Sequence, residues 1–140
     1  MTTVFTRIIN GELPGRFVWG DDVCVAILSI NPIRRGHALV VPRQEVDHWV
    51  DLEPAVNAHL MAVAQSIALA QHNAFRTQRV GLIIAGFEVP HTHLHLIPTD
   101  DMGGLDFANA ATDVDAADLD AAAEAIRREL RMAGHRTVPE

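Results

Sequence analysis

Three histidines alternate through His91-Thr92-His93-Leu94-His95, and the run continues into Leu96-Ile97-Pro98. In an extended chain, side chains at alternate positions share a face, so the three imidazoles would line one side and Thr92, Leu94 and Leu96 the other. Burying imidazoles is costly unless each finds a hydrogen-bond partner, so a row of them asks for a purpose. Two chemistries suit it. His-x-His pairs are common metal ligands. One ion cannot take all three, because His91 and His95 would stand about 13 Å apart along a strand and zinc needs each nitrogen at about 2.1 Å. A His-based metal site, with His91, His93 and the upstream His37 as its members, therefore draws one ligand from outside the row. The other chemistry is phosphoryl transfer. An imidazole with a pKa of about 6.5 is mostly unprotonated at neutral pH and nucleophilic. Its neighbours can hydrogen-bond phosphate oxygens or protonate a leaving group. A row suits a chain of phosphate oxygens better than a point ion.

The row must be held by the elements around it. Val4 to Ile9 is a short apolar segment closed by Asn10-Gly11, with a turn at Pro14-Gly15. Phe17 to Gly20 and Val23 to Ile30 read as two strands of a hairpin across Asp21-Asp22, and His37 to Val41 as a third strand ended by Pro42. Glu53 to Phe75 reads as a long helix, with Val56, Leu60, Val63, Ile67 and Ala74 on one face. The run Val80 to Phe87 is apolar enough to predict a central strand, and the histidine row is the fifth strand. A Gly-rich loop at Met102-Gly-Gly-Leu105 leads to a last helix over about Asp115 to Met132, whose acids gather at its start and arginines at its end. Five strands with two substantial helices, not in strict alternation, predict an α+β fold with an antiparallel sheet.

Composition narrows the partners. The chain has 140 residues, 49% apolar and 21% charged, which is the size and composition of one globular domain. A single cysteine, Cys24, excludes an internal disulfide framework. Every basic residue is arginine. Seven arginines balance seven acids over residues 1–79, whereas four face eleven over residues 80–140, so the net charge of −7 lies in the half that carries the histidine row. No basic patch offers itself to nucleic acid. Residues 55–75 carry no charge, but Asn57, His59, Gln65, Gln71, His72 and Asn73 would be costly in lipid, so the stretch reads as a buried helix and no membrane partner is expected. The N-terminus lacks the layout of a signal peptide, which predicts a cytoplasmic protein.

With these blocks in place, the sequence resembles the histidine triad (HIT) family of nucleotide hydrolases and transferases, in its Hint-like branch. The row is the family's His-x-His-x-His-x-x signature. Phe5-Thr-Arg-Ile8-Ile9-Asn-Gly-Glu12-Leu13-Pro14 is similar to the family's opening segment, Ala26-Ile27-Leu-Ser29-Ile30-Asn-Pro32 to a middle block, and Gly36-His37-Ala-Leu39-Val-Val-Pro42-Arg43 to its Gly-His-x-Leu-Val-x-Pro-Lys block. The resemblance spans roughly residues 4–99. It implies a HIT fold: a five-stranded antiparallel sheet with a long central helix and a C-terminal helix, the sheet continued across a homodimer. Residues 1–108 would form the HIT domain and residues 109–140 a helical segment packed on the same globule.

The same resemblance implies roles. His93 would attack an α-phosphorus and form a nucleotidyl-histidine that water then hydrolyses, with a backbone carbonyl holding its other nitrogen. His91 and His95 would contact phosphate oxygens and aid the leaving group, and His37 would complete a relay with His91. Phe5, Ile8, Leu13 and Ile27 would sandwich a base, and Ser29 and Ile30 would hold the ribose. Nucleoside 5′-phosphoramidates or phospho-anhydrides would be substrates, with no cofactor and no metal. The chain departs from the family pattern at Ser29, where an acid is usual, at Phe87 and Glu88, where polar phosphate contacts are usual, and at Glu45, where a histidine is usual. Those departures keep a second reading open, a nucleotide-binding module with little turnover, beside the metal-binding one. The remaining histidines, His48, His59, His72 and His135, have no spacing partner and are expected to be structural or solvated, and Arg34 and Arg35 to form a solvated loop.

Overall fold

The computed structural model describes residues 2–139. Its elements are α1 (Val4–Ile9), β1 (Phe17–Gly20), β2 (Cys24–Leu28), β3 (Ala38–Pro42), α2 (Pro54–Phe75), β4 (Arg79–Ile83), β5 (Leu94–Thr99) and α3 (Ala116–Met132), with short 3-10 turns at Trp49–Asp51, Met102–Leu105 and Phe107–Asn109. All five strands join one antiparallel sheet in the order β1-β2-β3-β5-β4.

The hairpin β1–β2 turns on Asp21, whose Oδ1 accepts both the Val23 and the Cys24 backbone N–H at 2.8 Å. Its Oδ2 accepts the Trp19 indole at 2.8 Å and faces His59 Nε2 at 2.7 Å. Burial alone would raise the Asp21 pKa, but those donors hold its carboxyl well below the usual carboxylate range. Helix α2 starts on Pro54, whose fixed φ suits a first turn, and stops at Arg76, a left-handed residue with φ of 58°. Asp115 caps α3 by accepting the Ala117 N–H at 3.2 Å.

The sheet separates two apolar clusters. On one face, Val18, Cys24, Ala26, Leu28, Ala38, Val40, Leu94 and Leu96 pack against Leu60, Val63 and Ile67 of α2 and Leu119, Ile126 and Leu130 of α3. Period-two alternation sends Val25, Ile27, Leu39 and Val41 to the other face, where Phe5 of α1 covers them with Ile8, Ile9, Phe17 and Val89 around it. This second face carries the histidines.

Two expectations about the sheet need correction. The apolar run Val80–Phe87 is not a central strand: β4 spans only Arg79–Ile83 and forms the sheet edge. Hydrophobicity of the run reports that it must be covered, and here Leu82 remains 39% exposed. The histidine row is likewise not one strand, since β5 begins at Leu94 and His91-Thr92-His93 precede it in irregular backbone.

The candidate active site

Register decides which histidines meet. Leu39 stands opposite His95 across the β3–β5 pair, so His37, two residues before Leu39, is the same-face diagonal neighbour of His95. His37 Nε2 lies 2.9 Å from His95 Nδ1. The relay expected between His37 and His91 is therefore corrected: His37 joins His95, because His91 precedes β5 and turns its ring onto the Pro42 carbonyl at the end of β3. The Ile33 backbone N–H donates to His37 Nδ1 at 3.1 Å. That nitrogen is an acceptor, so Nε2 carries the proton and donates it to His95 Nδ1, leaving the His95 N–H on Nε2. One backbone amide thus orients two rings in sequence.

Gln71 fixes the strand pair from below. Its Nε2 donates to the Gly36 carbonyl at 2.8 Å and to the Leu96 carbonyl at 3.1 Å, one residue from His37 and from His95 respectively. At Gly36, φ of 87° is left-handed, and a Cβ there would run into the Phe75 ring.

His93 is oriented by its neighbour. Its Nδ1 donates to the His91 carbonyl at 2.6 Å, so Nε2 carries the lone pair. His91 itself is fully buried and internally satisfied: Nε2 donates to the Pro42 carbonyl at 2.7 Å, and Nδ1 faces the Thr3 hydroxyl at 2.7 Å. Phe5 meets His93 edge-on with ring centroids 4.8 Å apart, and His91 at 5.8 Å. On the other side His95 packs edge-on against His93 at 4.8 Å and Phe107 at 4.9 Å.

Burial sets the protonation of His93, His37 and His95. It lowers the His93 pKa below its ordinary value, opposed by the hydrogen bond to the His91 carbonyl and, less, by the charge of Glu88. Burial and then the neighbouring imidazoles push His37 down to about 4 and His95 down to about 3. Near neutrality the site presents neutral rings: one lone pair on His93 and one N–H on His95.

Two clefts of about 260 and 140 Å³ meet at His93. The larger runs between Asp47, His48, Trp49 and Thr92 and the Ile84–Phe87 segment. The smaller lies over His95 between Phe87, Glu88 and Phe107. His48, expected to be structural or solvated, thus borders the site, and Trp49 and Phe107 join it unannounced, since their positions depend on 3-10 turns that have no periodic signature. The other isolated histidines lie elsewhere, His59 on Asp21 and His135 against the Trp19 ring at 5.0 Å. Phe87 is 97% exposed.

The predicted nucleoside residues divide. Phe5 and Ile27 are buried together and Ile8 packs against them; Leu13 is half-buried. Ser29 receives the Asn31 N–H on its hydroxyl at 3.2 Å, and Ile30 is 68% exposed. Arg34 pairs with Asp101 at 3.2 Å and Arg35 lies over the Phe75 ring at 5.2 Å.

Among the described residues, the one grouping of three potential metal ligands is Asp21, Cys24 and His59, and no triad histidine belongs to it. Asp21 already accepts from several donors, and the Cys24 thiol is pushed up to about 12 by burial and by Asp21. Among the described residues no helix is long and apolar enough to cross a membrane.

The HIT domain profile matches residues 10–102. An uncharacterised HIT-like protein of Borreliella burgdorferi is 34% identical over 111 residues, 74% of this chain and 80% of its own length. Adenylylsulfatase HINT3 of Arabidopsis thaliana is 33% identical over 100 residues, 68% of this chain but only 51% of that protein. Among solved structures, a zinc-bound histidine triad family protein of Mycobacterium smegmatis superposes with TM-score 0.81 at 28% identity, covering 95% of this chain and 96% of its own. A hypothetical histidine triad nucleotide-binding protein of Sulfolobus tokodaii gives TM-score 0.80 at 26% identity, covering 91% of each chain. The profile covers most of the chain, the relatives and the fold agree with it, and the chain belongs to the histidine triad (HIT) family.

Proposed function

We propose that the protein hydrolyses or transfers nucleotides at the α-phosphate of a nucleoside 5′-phosphoramidate or phospho-anhydride, through a covalent intermediate on His93. The observation that carries this reading is the His93 Nδ1–H bond to the His91 carbonyl at 2.6 Å, which leaves Nε2 unprotonated and aimed away from the backbone. In the first step the Nε2 lone pair forms an N–P bond, and the bond from phosphorus to the leaving group breaks with its electron pair on the leaving atom. That atom takes up a proton from solvent water beside the half-buried His95, and the water that later attacks phosphorus returns a proton to solvent. Water then attacks phosphorus, the P–N bond returns its pair to Nε2, and a nucleoside 5′-monophosphate departs. His95, with its N–H on Nε2 and its Nδ1 occupied by His37, is placed to hydrogen-bond the phosphate oxygen on which charge grows. His91 acts here as a positioning residue, through its carbonyl, since both of its ring nitrogens are engaged within the protein.

Phe5, Ile8 and Ile27 offer an apolar wall for the base beside His93, with Leu13 at its margin. An adenylyl donor is favoured by the likeness to adenylylsulfatase HINT3. Ser29 and Ile30 would border the ribose, and Glu88 the leaving-group side. Incubation with adenosine 5′-phosphoramidate should release AMP, and rapid quenching should yield a tryptic peptide carrying AMP on His93 by mass spectrometry. Release of AMP by His93→Ala at the wild-type rate would sink the proposal, and binding of AMP without any release would favour the binding-module reading.

We further propose a homodimer in which β4 continues the sheet into a second copy. Val80 and Leu82 of β4 and Met61, Ala64 and Ala68 of α2 line one apolar groove at this edge. Leu69, on the same helix, is 58% exposed.

A further inference from the structure

Helix α1 has only six residues, far below the length at which a helix holds together alone. Something must dock it. Glu45, from the segment after β3, accepts two hydrogen bonds from it on one oxygen, the Thr3 backbone N–H and the Thr6 hydroxyl, both at 2.7 Å. Thr3 is buried, and its hydroxyl lies 2.7 Å from His91 Nδ1 while also capping the helix by accepting the Thr6 N–H at 3.2 Å. His91 in turn holds His93 through its carbonyl. Between the two threonines sits Phe5, which packs against both rings. A path of hydrogen bonds, joined through the covalent frames of Thr3 and His91, therefore runs from an exposed carboxylate to the ring proposed as nucleophile. The Thr3 and Thr6 donors also hold the Glu45 carboxyl below its ordinary value, as a carboxylate that is used as an acceptor should be.

We infer that Glu45, Thr3 and Thr6 form a latch that seats α1 on the histidine row, so that Glu45 and Thr3 are positioning residues for His93 and for the apolar wall of the base site. This rests on the assignment of His93 as the reacting group. Loss of the latch would lift Phe5 from His93, admit water to that ring and move His91, whose buried Nδ1 would lose its hydroxyl partner.

The titratable groups around His93 are His91, His95, His37 and Glu88, with Asp47 and His48 in the larger cleft beside it. None of them is substituted in the latch variants, so a change in the His93 titration reports the movement of Phe5 and His91 that the latch prevents. Glu45→Ala and Thr3→Val should raise the His93 pKa toward its ordinary value in an NMR titration, weaken AMP binding at least fivefold and lower kcat/KM about tenfold. Glu45→Gln and Thr3→Ser keep an acceptor and a hydroxyl in place and should stay within about threefold of wild type. Thr6→Val removes one bond and should be intermediate, which keeps the inference testable if the stronger variants do not fold. Folded Glu45→Ala and Thr3→Val proteins with wild-type His93 titration and AMP affinity would overturn it. Wild-type protein that never releases AMP would instead overturn the proposed function, while the His93 titration and AMP binding would still decide the latch.

Discussion

The identity of each ring nitrogen is settled by backbone atoms. Carbonyls only accept and amides only donate, so the His91 carbonyl and the Ile33 amide dictate the tautomers of His93, His37 and His95. This gives a signed pH dependence. In the proposed mechanism the attacking form of His93 is neutral, protonation removes it, and burial lowers its pKa. The acid limb of kcat/KM should therefore fall below the ordinary histidine value of about 6.5, and rates should be level from pH 8 to pH 7. A limb centred above pH 6.5 would show that His93 is not the ring being titrated. Glu88 opposes this shift only weakly, because it is exposed. Its neutralisation in Glu88→Gln should move the limb slightly further to acid.

At the level of elements, the long helix does more than cover the sheet. Gln71 lies on its buried face and ties the carbonyls of Gly36 and Leu96, which flank the two coupled histidines. Gln71→Leu fills similar space but leaves two buried carbonyls without their donor, at about 1–3 kcal/mol in urea unfolding. Because those carbonyls belong to the strand ends that set the His37–His95 contact, the variant should also lose activity under conditions where it remains folded. Unchanged stability would mean that water replaces the amide. Helix periodicity located α2 within a residue at each end, yet it placed Gln71 only among the polar residues of a buried helix, since its function depends on strands distant in sequence.

For the whole molecule, the sheet edge is the open question in the fold. β4 presents unpaired backbone and an apolar groove shared with α2, a combination that natural proteins rarely leave bare. Sedimentation should give the mass of two chains for wild type and of one for Leu82→Lys, which places a charge at the centre of that strip. If the edge pairs in the dimer, the active site should survive in the monomer, because the hydrogen-bonded links from Glu45 to His93 and from Ile33 to His95 all lie within one chain. A monomeric wild-type protein would overturn the proposal that β4 continues the sheet into a second copy.

Much of this was legible in the linear chain. The spacing of His91, His93 and His95 and the separate blocks around His37 and Ser29 carried the likeness to the family, and the periodicities of α2 and α3 gave its helices, because alternation and helical repeat are local properties. Three things were decided only by tertiary structure. His37 pairs with His95 rather than His91, because strand register is set by the pairing of β3 with β5. The apolar run after Arg79 became an edge, because hydrophobicity records the need for cover without naming the cover. His91 turned inward onto Pro42 and Thr3, because the regular strand begins only at Leu94 and the irregular backbone before it is free to aim a side chain where alternation would not.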